Sequence, residues 1–580
     1  MQAATAAAPE QQERERRLLL LTATELRAAM ARREATCEEV TLAFCRRCFE
    51  LGGWRTGGDS ALNCVAEENY DAALELAREL DRRTSDEDWA DVERYPLLGV
   101  PVSVKDQIIQ KGFDATMGAA ARCFQWGPSG APEDGLHMRL LLEAGAIPFV
   151  RTNTPQALMM PESANNVWGT SRNPFDPRRT PGGSSGGEGG LVAGRCSPLG
   201  IGTDIGGSVR IPCTFCGIYG LKPTQERVTK QGVAVSRLGD RNGQTIIKGV
   251  TGPMAHCVED LAAVLQAWFR PSVWQRDALL PRMPFNRDVF AGLPSTSESG
   301  EVVASGRRRL RVGWFRTDGW FHPCAAVERA VEEAAEALQK AGHEVSEVML
   351  PAGLDGWKAA ALYMGVMGAE GNMHGFVEGL EGEPLHEMYG TLKFISDIPN
   401  MFRPALRGLL RMMGEQRKSQ LLSMTRSGGW SVREFYEIVA DVEAFRKEWA
   451  KFLRDERFDV VLFPGLALPA FRHGQSKELN QACSYTFLMN LLGWPAGSCP
   501  VTQVRQDEQS YPLERLPASQ RDGMARQCAE AMEGSAGLPV GVQLAAPPYE
   551  DELVLYAMHE LQRALPFDGL PPMEGLRAKL

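Results

Sequence analysis

The chain has 580 residues, of which 44% are hydrophobic and 23% charged, and this balance excludes a disordered, collagen-like or small disulfide-stabilised protein. The formal net charge of −10 at pH 7 argues against a nucleic-acid partner. Thirteen cysteines, an odd number without regular spacing, exclude a fully paired disulfide framework and favour a reducing compartment. The CxxC pairs Cys45/Cys48 and Cys213/Cys216 have no further ligands nearby in the sequence, so we expect no bound metal.

The N-terminal segment is polar, and residues 1–21 are predicted to form a flexible tail. Its apolar run, Leu18 to Leu21, covers four residues, which is too short for a signal peptide or a membrane-spanning helix. No uninterrupted apolar window of the length that a spanning helix needs occurs in the sequence. Any contact with a membrane is therefore expected at its surface.

The periodicity of apolar residues divides the rest of the chain into helices and strands. It predicts helices over residues 22–50, 70–81, 325–342 and 430–454. From residue 97 to 260, short apolar runs alternate with glycine-rich turns and helical patterns, which is typical of a buried sheet with crossover helices. Residues 270–308 and 504–532 are polar and are predicted insertions, the first of them a loop that could be mobile. Since no repeat or linker interrupts the chain, we expect one α/β domain over residues 22–580.

Lys105 directly follows the apolar run LLGVPVSV, residues 97–104. A strand buried on both faces would deliver the ammonium group into a poorly solvated place, where desolvation lowers the pKa towards the value that a base needs. The alternative is a lysine at a strand end that turns towards solvent. Taken alone, this run favours the alternative.

The segment PGGSSGGEGG, residues 181–190, is a glycine-rich loop with two hydroxyl groups. Its glycines have the spacing of a phosphate-binding loop, but Glu188 stands where that motif requires a lysine, so nucleotide binding is disfavoured. The letters GxSxG also occur here, but a nucleophile elbow must follow a strand, and the preceding residues NPFDPRRTP exclude a central strand. What remains is a loop that holds Ser184 and Ser185 close to another group.

A third segment, residues 198–212, is an apolar strand that runs into Asp-Ile-Gly-Gly-Ser at residues 204–208. Glycines directly before a serine let several backbone N–H groups point to one spot, as a tetrahedral oxyanion requires. Ser208 would then lie where it can attack a carbonyl carbon. The alternative is a tight turn between a strand and a helix, and this segment alone does not decide between the two.

Together, the three segments resemble the amidase signature family in order and spacing. The family uses a lysine, a bridging serine and a nucleophilic serine, and the resemblance places these roles at Lys105, Ser184 and Ser208. It extends over about residues 22–268 and 385–566. The fold that it implies is α/β, a large twisted mixed β-sheet covered by helices on both faces.

The resemblance also implies a mechanism and no cofactor. Neutral Lys105 would draw a proton from Ser184, which would draw one from Ser208 as that oxygen attacks an amide carbonyl and forms an acyl-enzyme. The oxyanion would be bound by four backbone N–H groups, those of Ile205, Gly206, Gly207 and Ser208.

Three further side chains are assigned supporting roles. Asp204 and Arg210 flank the nucleophile and are expected to pair, and Ser185 is expected to support Ser184 by hydrogen bonding. The family's cis peptide bond would lie between Gly183 and Ser184.

Within the family, the sequence is most similar to members that hydrolyse fatty acid amides, such as N-acylethanolamines and primary fatty amides, and also esters. Leu158, Met159 and Thr486 match positions of their substrate channel. Residues 398–424 are similar to their membrane-contacting cap, and the pattern predicts an apolar helical face with arginines beside it. The alternative for this segment is a helix that packs on the core with its arginine stems along the surface. The predicted cap residues are Met401, Phe402, Arg403, Leu406, Arg407, Leu410, Arg411 and Met413.

This resemblance implies a small lipid amide substrate and a peripheral contact with a membrane surface. It also implies an intracellular location, cytoplasmic or on endomembranes, and it is compatible with a homodimer. Three other functions stay open at this point: an amidase for short-chain or aryl amides, an amidotransferase A-type subunit, and a catalytically silent scaffold. The intact set of Lys105, Ser184 and Ser208 argues against the scaffold, and an apolar cap would have no role in an amidotransferase subunit.

Overall fold

The structure is a computed structural model that describes residues 9–53, 61–235, 243–293 and 306–572. The described strands are β1 (Val65–Glu68), β2 (Pro101–Lys105), β3 (Ile147–Thr152), β4 (Ala164–Asn165), β5 (Gly169–Thr170), β6 (Leu199–Asp204), β7 (Tyr219–Lys222), β8 (Val250–Ala255), β9 (Arg311–Trp314), β10 (Glu344–Glu347), β11 (Val460–Pro464), β12 (Ala496–Gln503) and β13 (Pro539–Ala545).

The described helices of the N-terminal half are α1 (Pro9–Leu20), α2 (Ala23–Ala31), α3 (Cys37–Arg47), α4 (Tyr70–Arg83), α5 (Asp86–Ala90), α6 (Leu136–Glu143), α7 (Gly186–Ala193), α8 (Arg210–Cys216), α9 (Val258–Trp268), α10 (Pro271–Trp274) and α11 (Arg287–Phe290). Those of the C-terminal half are α12 (Ala325–Lys340), α13 (Gly356–Met367), α14 (His374–Val377), α15 (Gly390–Asp397), α16 (Arg403–Met412), α17 (Gln416–Met424), α18 (Val432–Glu456), α19 (Ser476–Leu479), α20 (Ser484–Leu492), α21 (Gly523–Met532) and α22 (Asp551–Ala564).

Within the described residues, eleven strands form one mixed sheet in the order β1-β3-β2-β6-β8-β7-β12-β13-β11-β9-β10. β2 is parallel to β3 and β6, whereas the neighbours from β6 to β11 pair antiparallel. Helices α7 and α8 contact each other and pack on the central strands, and α9, α12 and α22 form a second connected layer. The predicted mixed sheet with helices on both faces is confirmed.

Several predicted helices are confirmed with small changes of boundary. Those predicted over residues 70–81, 325–342 and 430–454 are α4, α12 and α18. The helix predicted over residues 22–50 is divided into α2 and α3, because Thr22 and Thr36 each begin a helix with a capping box. None of the described helices has both the length and the apolar character needed to cross a bilayer.

The N-terminal segment differs from the expected flexible tail over residues 1–21, since residues 9–20 form α1. Leu18 is buried, and Glu15 forms an ion pair with Arg46 of α3. The apolar run that is too short to span a membrane therefore packs on the core instead. Residues 1–8 lie outside the described residues.

The two segments predicted as insertions form helices in their described parts. Residues 270–293 include α10 and α11, and α11 packs on α22, so this part of the predicted insertion carries helical structure. Residues 294–305 lie outside the described residues. Residues 504–532 end in α21, whose Met524, Cys528 and Met532 are buried. Both segments thus contribute apolar side chains to the core.

Candidate active site

Lys105 lies at the end of β2 and is fully buried. Its Nζ is 2.7 Å from Ser184 Oγ and 2.8 Å from Thr203 Oγ1. Burial lowers the pKa of Lys105 to about 7, although the nearby carboxylates, with Asp204 the strongest, act in the opposite direction. The structure therefore excludes the solvent-facing alternative for this lysine.

Two side chains that the sequence analysis missed orient the Lys105 amine. Thr203 Oγ1 is 2.6 Å from Gln107 Oε1, and Gln107 Nε2 donates to the carbonyl oxygen of Ala234 at 2.6 Å. The single Thr203 proton is thus donated to Gln107, so the Thr203 oxygen accepts from Lys105. A neutral amine held this way can direct its lone pair towards Ser184. The only sequence signal was that Gln107 and Thr203 lie beside the motif residues.

The loop that carries Ser184 is held by the core on both sides. The peptide bond between Gly183 and Ser184 is cis, as the resemblance implied. Ser163 Oγ accepts the backbone N–H of Gly186 at 3.0 Å and donates to the carbonyl of Gly182 at 3.2 Å. Ser163 was also missed, because it lies outside the three motif segments.

Ser185 connects the two serine loops, but it does so differently from the expectation. Its backbone N–H donates to the carbonyl of Ser208 at 3.2 Å. Its hydroxyl lies 3.3 Å from both the backbone nitrogen and the carbonyl oxygen of Thr203. No hydrogen bond between its hydroxyl and the side chain of Ser184 is found in the described residues, so Ser185 supports Ser184 through the main chain and β6.

The expected pairing of Asp204 with Arg210 is confirmed. The guanidinium Nη2 and Nε lie 3.0 and 3.1 Å from the Asp204 carboxylate, and both side chains are fully buried. Burial alone would raise the pKa of Asp204. The charge and hydrogen bonds of Arg210, together with Lys222 and Asn490, outweigh burial and lower the pKa to about 2. Asn490 Nδ2 also donates to Asp204, at 2.9 Å. This carboxylate is therefore ionised, with its charge balanced by Arg210.

The expected set of four oxyanion donors is wrong at one position. The backbone N–H of Gly207 donates to Asp204 Oδ1 at 2.8 Å and is therefore not free. In the described part of the chain, the backbone N–H groups of Ile205, Gly206 and Ser208 have no acceptor. These three remain available for an oxyanion.

Thr486 holds the nucleophile loop and does not line the cavity, contrary to its expected place in the substrate channel. It is fully buried on α20, with Oγ1 2.7 Å from the carbonyl of Gly206. Gly207 has φ +116°, and a Cβ there would overlap Thr486 Oγ1. Only glycine therefore fits at position 207. Tyr363 Oη donates to the carbonyl of Ile205 at 3.2 Å. The carbonyls of Ile205 and Gly206 are therefore both held by side-chain hydrogen bonds.

An open cavity of about 960 Å³, counting its opening to solvent, reaches Gly183, Ile205 and Ser208. Leu158 and Met159 line it, as the resemblance implied. Further apolar wall residues are Met160, Ile211, Met364, Met367, Met373, Phe376, Leu392 and Phe487. Polar wall residues include Glu370, Asn372, His374 and Arg426. Most of the named wall is thus apolar.

The predicted cap is divided between two helices, and its arginines do not form one surface row. Gly414, at φ +78°, separates α16 from α17. Arg403 is only 6% exposed and donates to main-chain carbonyls, including those of Ile398 and Leu422. Arg417 is buried and pairs with Asp522 at 2.6 Å. The expectation that Arg403 faces outward is wrong, whereas Arg411 is exposed and Arg407 partly so.

The exposure of the predicted apolar cap residues agrees better with the structure than that of the arginines. Met401, Phe402 and Met413 are exposed, whereas Leu406 and Leu410 are partly buried. Met412 on α16, which is 81% exposed, and Phe394 on α15 are exposed as well. We call the exposed set the α15–α16 face: Phe394, Met401, Phe402, Leu409, Met412 and Met413.

Comparisons with known proteins agree with this geometry. The family model described as Amidase matches residues 39–555. Fatty-acid amide hydrolase 1 of Sus scrofa is 35% identical over 472 residues, which are 81% of this chain and 76% of that protein. An acetamidase of Emericella nidulans is 29% identical over 548 residues, 94% of this chain and 89% of that protein.

Two further relatives extend the match along the chain. Fatty acid amide hydrolase 1 of Caenorhabditis elegans is 32% identical over 550 residues, 93% of this chain and 87% of that protein. A solved fatty acid amide hydrolase has a TM-score of 0.77 at 26% identity, covering 97% of this chain and 87% of that one. Since the family model spans most of the sequence and these relatives match along it, the protein belongs to the amidase signature family and is a hydrolase that acts on amides.

Proposed function

We propose that the protein hydrolyses long-chain fatty acid amides, with Ser208 as nucleophile, Ser184 as bridge and Lys105 as base. The observation that carries the proposal is the buried 2.7 Å contact between Lys105 Nζ and Ser184 Oγ. That contact lies beside the Ser208 loop, and Gly183 and Ser208 line a largely apolar cavity.

The proposed reaction follows from these groups. The neutral Lys105 amine takes the Ser184 proton, Ser184 takes the Ser208 proton, and Ser208 Oγ bonds to the amide carbon. The oxyanion is held by the N–H groups of Ile205, Gly206 and Ser208. As the C–N bond breaks, the Lys105 proton returns through Ser184 to the departing nitrogen. Water then cleaves the acyl-enzyme by the same relay and releases the fatty acid.

The wall of the cavity supports a long acyl chain as substrate. Met364, Met367 and Phe376 extend the apolar lining beyond Leu158 and Met159. Methionine side chains adapt to irregular apolar shapes because they are unbranched and flexible. An acetyl group would leave most of this surface without contact, although relatives named acetamidase share the family.

The α15–α16 face supports substrate entry from a membrane surface. α15 supplies Leu392 and Ser396 to the cavity wall and carries exposed Phe394 between them. Exposed Phe394 therefore lies on the helix that bounds the cavity. Hydrogen bonds from Arg403 join this helix to α16, which carries exposed Leu409 and Met412. Arg407 and Arg411 lie beside them, where they can contact anionic headgroups.

Replacing the proposed triad should remove covalent chemistry. We expect Ser208→Ala to abolish labelling by a fluorophosphonate, because the labelled oxygen is absent. Ser184→Ala and Lys105→Ala should lower amide hydrolysis by on the order of 10³-fold or more, since the proton relay is broken. Ser346→Ala, on the exposed edge of β10, is the control and should label like the wild type. Full labelling of Ser208→Ala would contradict the assignment.

The base should titrate near neutral pH. Because only neutral Lys105 accepts a proton and its pKa is about 7, the fluorophosphonate labelling rate should rise about tenfold per pH unit below that value and level off above it. Lys230 also has a lowered pKa, about 8, but lies outside the site. Lys230→Ala should therefore leave the profile unmoved. A rate that is constant from about pH 5 to about pH 9 would rule out this lysine as the base.

Acyl length should control kcat/KM. Each added CH₂ buried in the cavity should raise kcat/KM about fourfold, corresponding to about 0.8 kcal/mol, until the cavity is filled. Met364→Trp should lower the rate for long acyl chains and spare short ones, because the larger ring narrows the wall. Met349→Trp, at a residue 92% exposed outside the cavity wall, is the matched control. Equal kcat/KM for acetamide and an octadecenamide would contradict the proposal.

Vesicle flotation tests the membrane contact. Phe402→Ser combined with Met412→Ser should weaken binding to vesicles of mixed neutral and anionic lipid by about tenfold or more, because two large apolar groups are lost. Leu279→Ser with Met349→Ser removes two apolar side chains that are 93% and 92% exposed elsewhere and should bind like the wild type. Equal vesicle binding by both double variants would contradict a membrane contact through the α15–α16 face.

A further inference from the structure

A buried carboxyl group that the proposed reaction does not use lies in the same layer as Lys105. Glu188, in the first turn of α7, is fully buried. Thr152 Oγ1 donates to its Oε1 at 2.8 Å, and Ser103 Oγ lies 2.5 Å from its Oε2. Ser103 and Lys105 are two residues apart on β2, so both side chains leave the same face of the sheet. Thr152 is the β3 partner of Lys105.

The sheet leaves room for this acid. Gly200 on β6 has no side chain, and a Cβ there would overlap Glu188 Oε2. Gly202 lies two residues further along β6 on the same face, and a Cβ there would overlap Ser185 Oγ. The chain therefore brings the first turn of α7 directly onto the backbone of β6. A buried carboxyl at such close packing needs every hydrogen-bonding position filled.

The hydrogen bonds of Ser103 can accommodate a proton on this carboxyl, and its burial without an ion pair favours one. Ser103 Oγ has one proton but two possible acceptors, Glu188 Oε2 and the carbonyl of Leu199 at 3.3 Å. If Glu188 carries a proton on Oε2, it donates to Ser103, and Ser103 donates to Leu199. An ionised Glu188 would instead be a fully buried charge, and it forms no ion pair within the described residues. Such a charge is strongly disfavoured.

We propose that Glu188 is a positioning residue that works as an un-ionised carboxylic acid. Its hydrogen bonds with Ser103 and Thr152 connect α7 to β2 and β3 next to Lys105. Because the acid is neutral, it places no unpaired negative charge near the Lys105 amine. The amine then stays available as the base. The proposal rests on the proposed role of Lys105 and explains why an acid so close does not hold the lysine in its charged form.

The surroundings support this protonation state. Burial raises the pKa of Glu188 to about 8, against the smaller opposite effects of its hydrogen bonds with Ser103 and Thr152 and of the Lys105 charge. The titratable groups that interact with Glu188 are Lys105, at the end of β2, and Cys64, which faces α7 at Gly190. Asp106, directly after β2, and Asp204, at the end of β6, act on Lys105. Asp204 is paired with Arg210. Burial raises the pKa of Cys64, which keeps that thiol neutral.

Two variants at position 188 test the proposal through the pH profile of fluorophosphonate labelling. This readout requires the triad but no lipid, and the wild type compared with Ser208→Ala reports the triad separately. Glu188→Ala should lower the labelling rate by about tenfold or more, because Ser103 and Thr152 lose their partner. Glu188→Gln should restore most of the rate, with the midpoint of the acidic limb within about 0.3 pH unit of the wild type.

Opposite results would overturn it. If Glu188 were ionised, Glu188→Gln would remove a negative charge beside Lys105 and move the midpoint down by about one pH unit or more. Full activity of Glu188→Ala with an unmoved midpoint would show that the side chain positions nothing. Infrared difference spectra supply a second readout. The wild type at about pH 6 should show a carbonyl stretch of a protonated carboxylic acid that is absent in Glu188→Gln, and no such difference would contradict the proposal.

Discussion

The removal of one amine from water is the constraint on which the rest of the site depends. Lys105 follows an apolar strand, is fully buried, and contacts the hydroxyls of Ser184 and Thr203. Such a position is tolerable for a neutral amine and costly for a charged one. The carboxylate that most strongly favours the charged form is that of Asp204, and Arg210 already balances its charge. The ion pair is therefore part of what allows the lysine to be neutral.

Close approach of backbones turns three sequence segments into one site. The Ser184 loop reaches the Ser208 loop through the hydrogen bond from Ser185 N–H to the Ser208 carbonyl. Gly207 allows the turn after β6 to pack against Thr486, and Gly202 gives space to the hydroxyl of Ser185. Glycines at these points let the side chain of another segment lie directly against the main chain. Their value lies in geometry, since they supply no reactive group.

The sequence predicted the parts of the site that lie within short segments. Lys105, Ser184 and Ser208 lie in three short segments whose order and spacing together resemble a known family, although no segment alone decides its role. Asp204 and Arg210 are near enough in sequence for their pairing to be expected. Partners supplied from far along the chain gave no such signal. Tyr363 lies on α13, in a region that departs from the family pattern, yet it fixes the carbonyl of Ile205. A buried sheet was predictable from its apolar runs, and its mixed character was implied by the family resemblance. The order of its strands was not predictable, because it depends on pairing across long distances.

The cap shows the same limit in a helix. Periodicity placed Arg403, Arg407 and Arg411 on one side of α16, but it carries no information about what lies opposite each residue. Arg403 lies against the ends of α15 and α17, where it donates to the carbonyls of Ile395 and Thr425 at 2.8 Å each. A cation there satisfies carbonyls that a helix end leaves free and interacts favourably with both helix dipoles.

Arg403 therefore connects α15, α16 and α17 through its hydrogen bonds. Because it is buried, its charge does not contribute to the outer surface. With Arg417 also buried, the outer surface has less positive charge than the sequence suggested. Its exposed methionine and phenylalanine side chains, more than its arginines, must then supply most of any affinity for lipid.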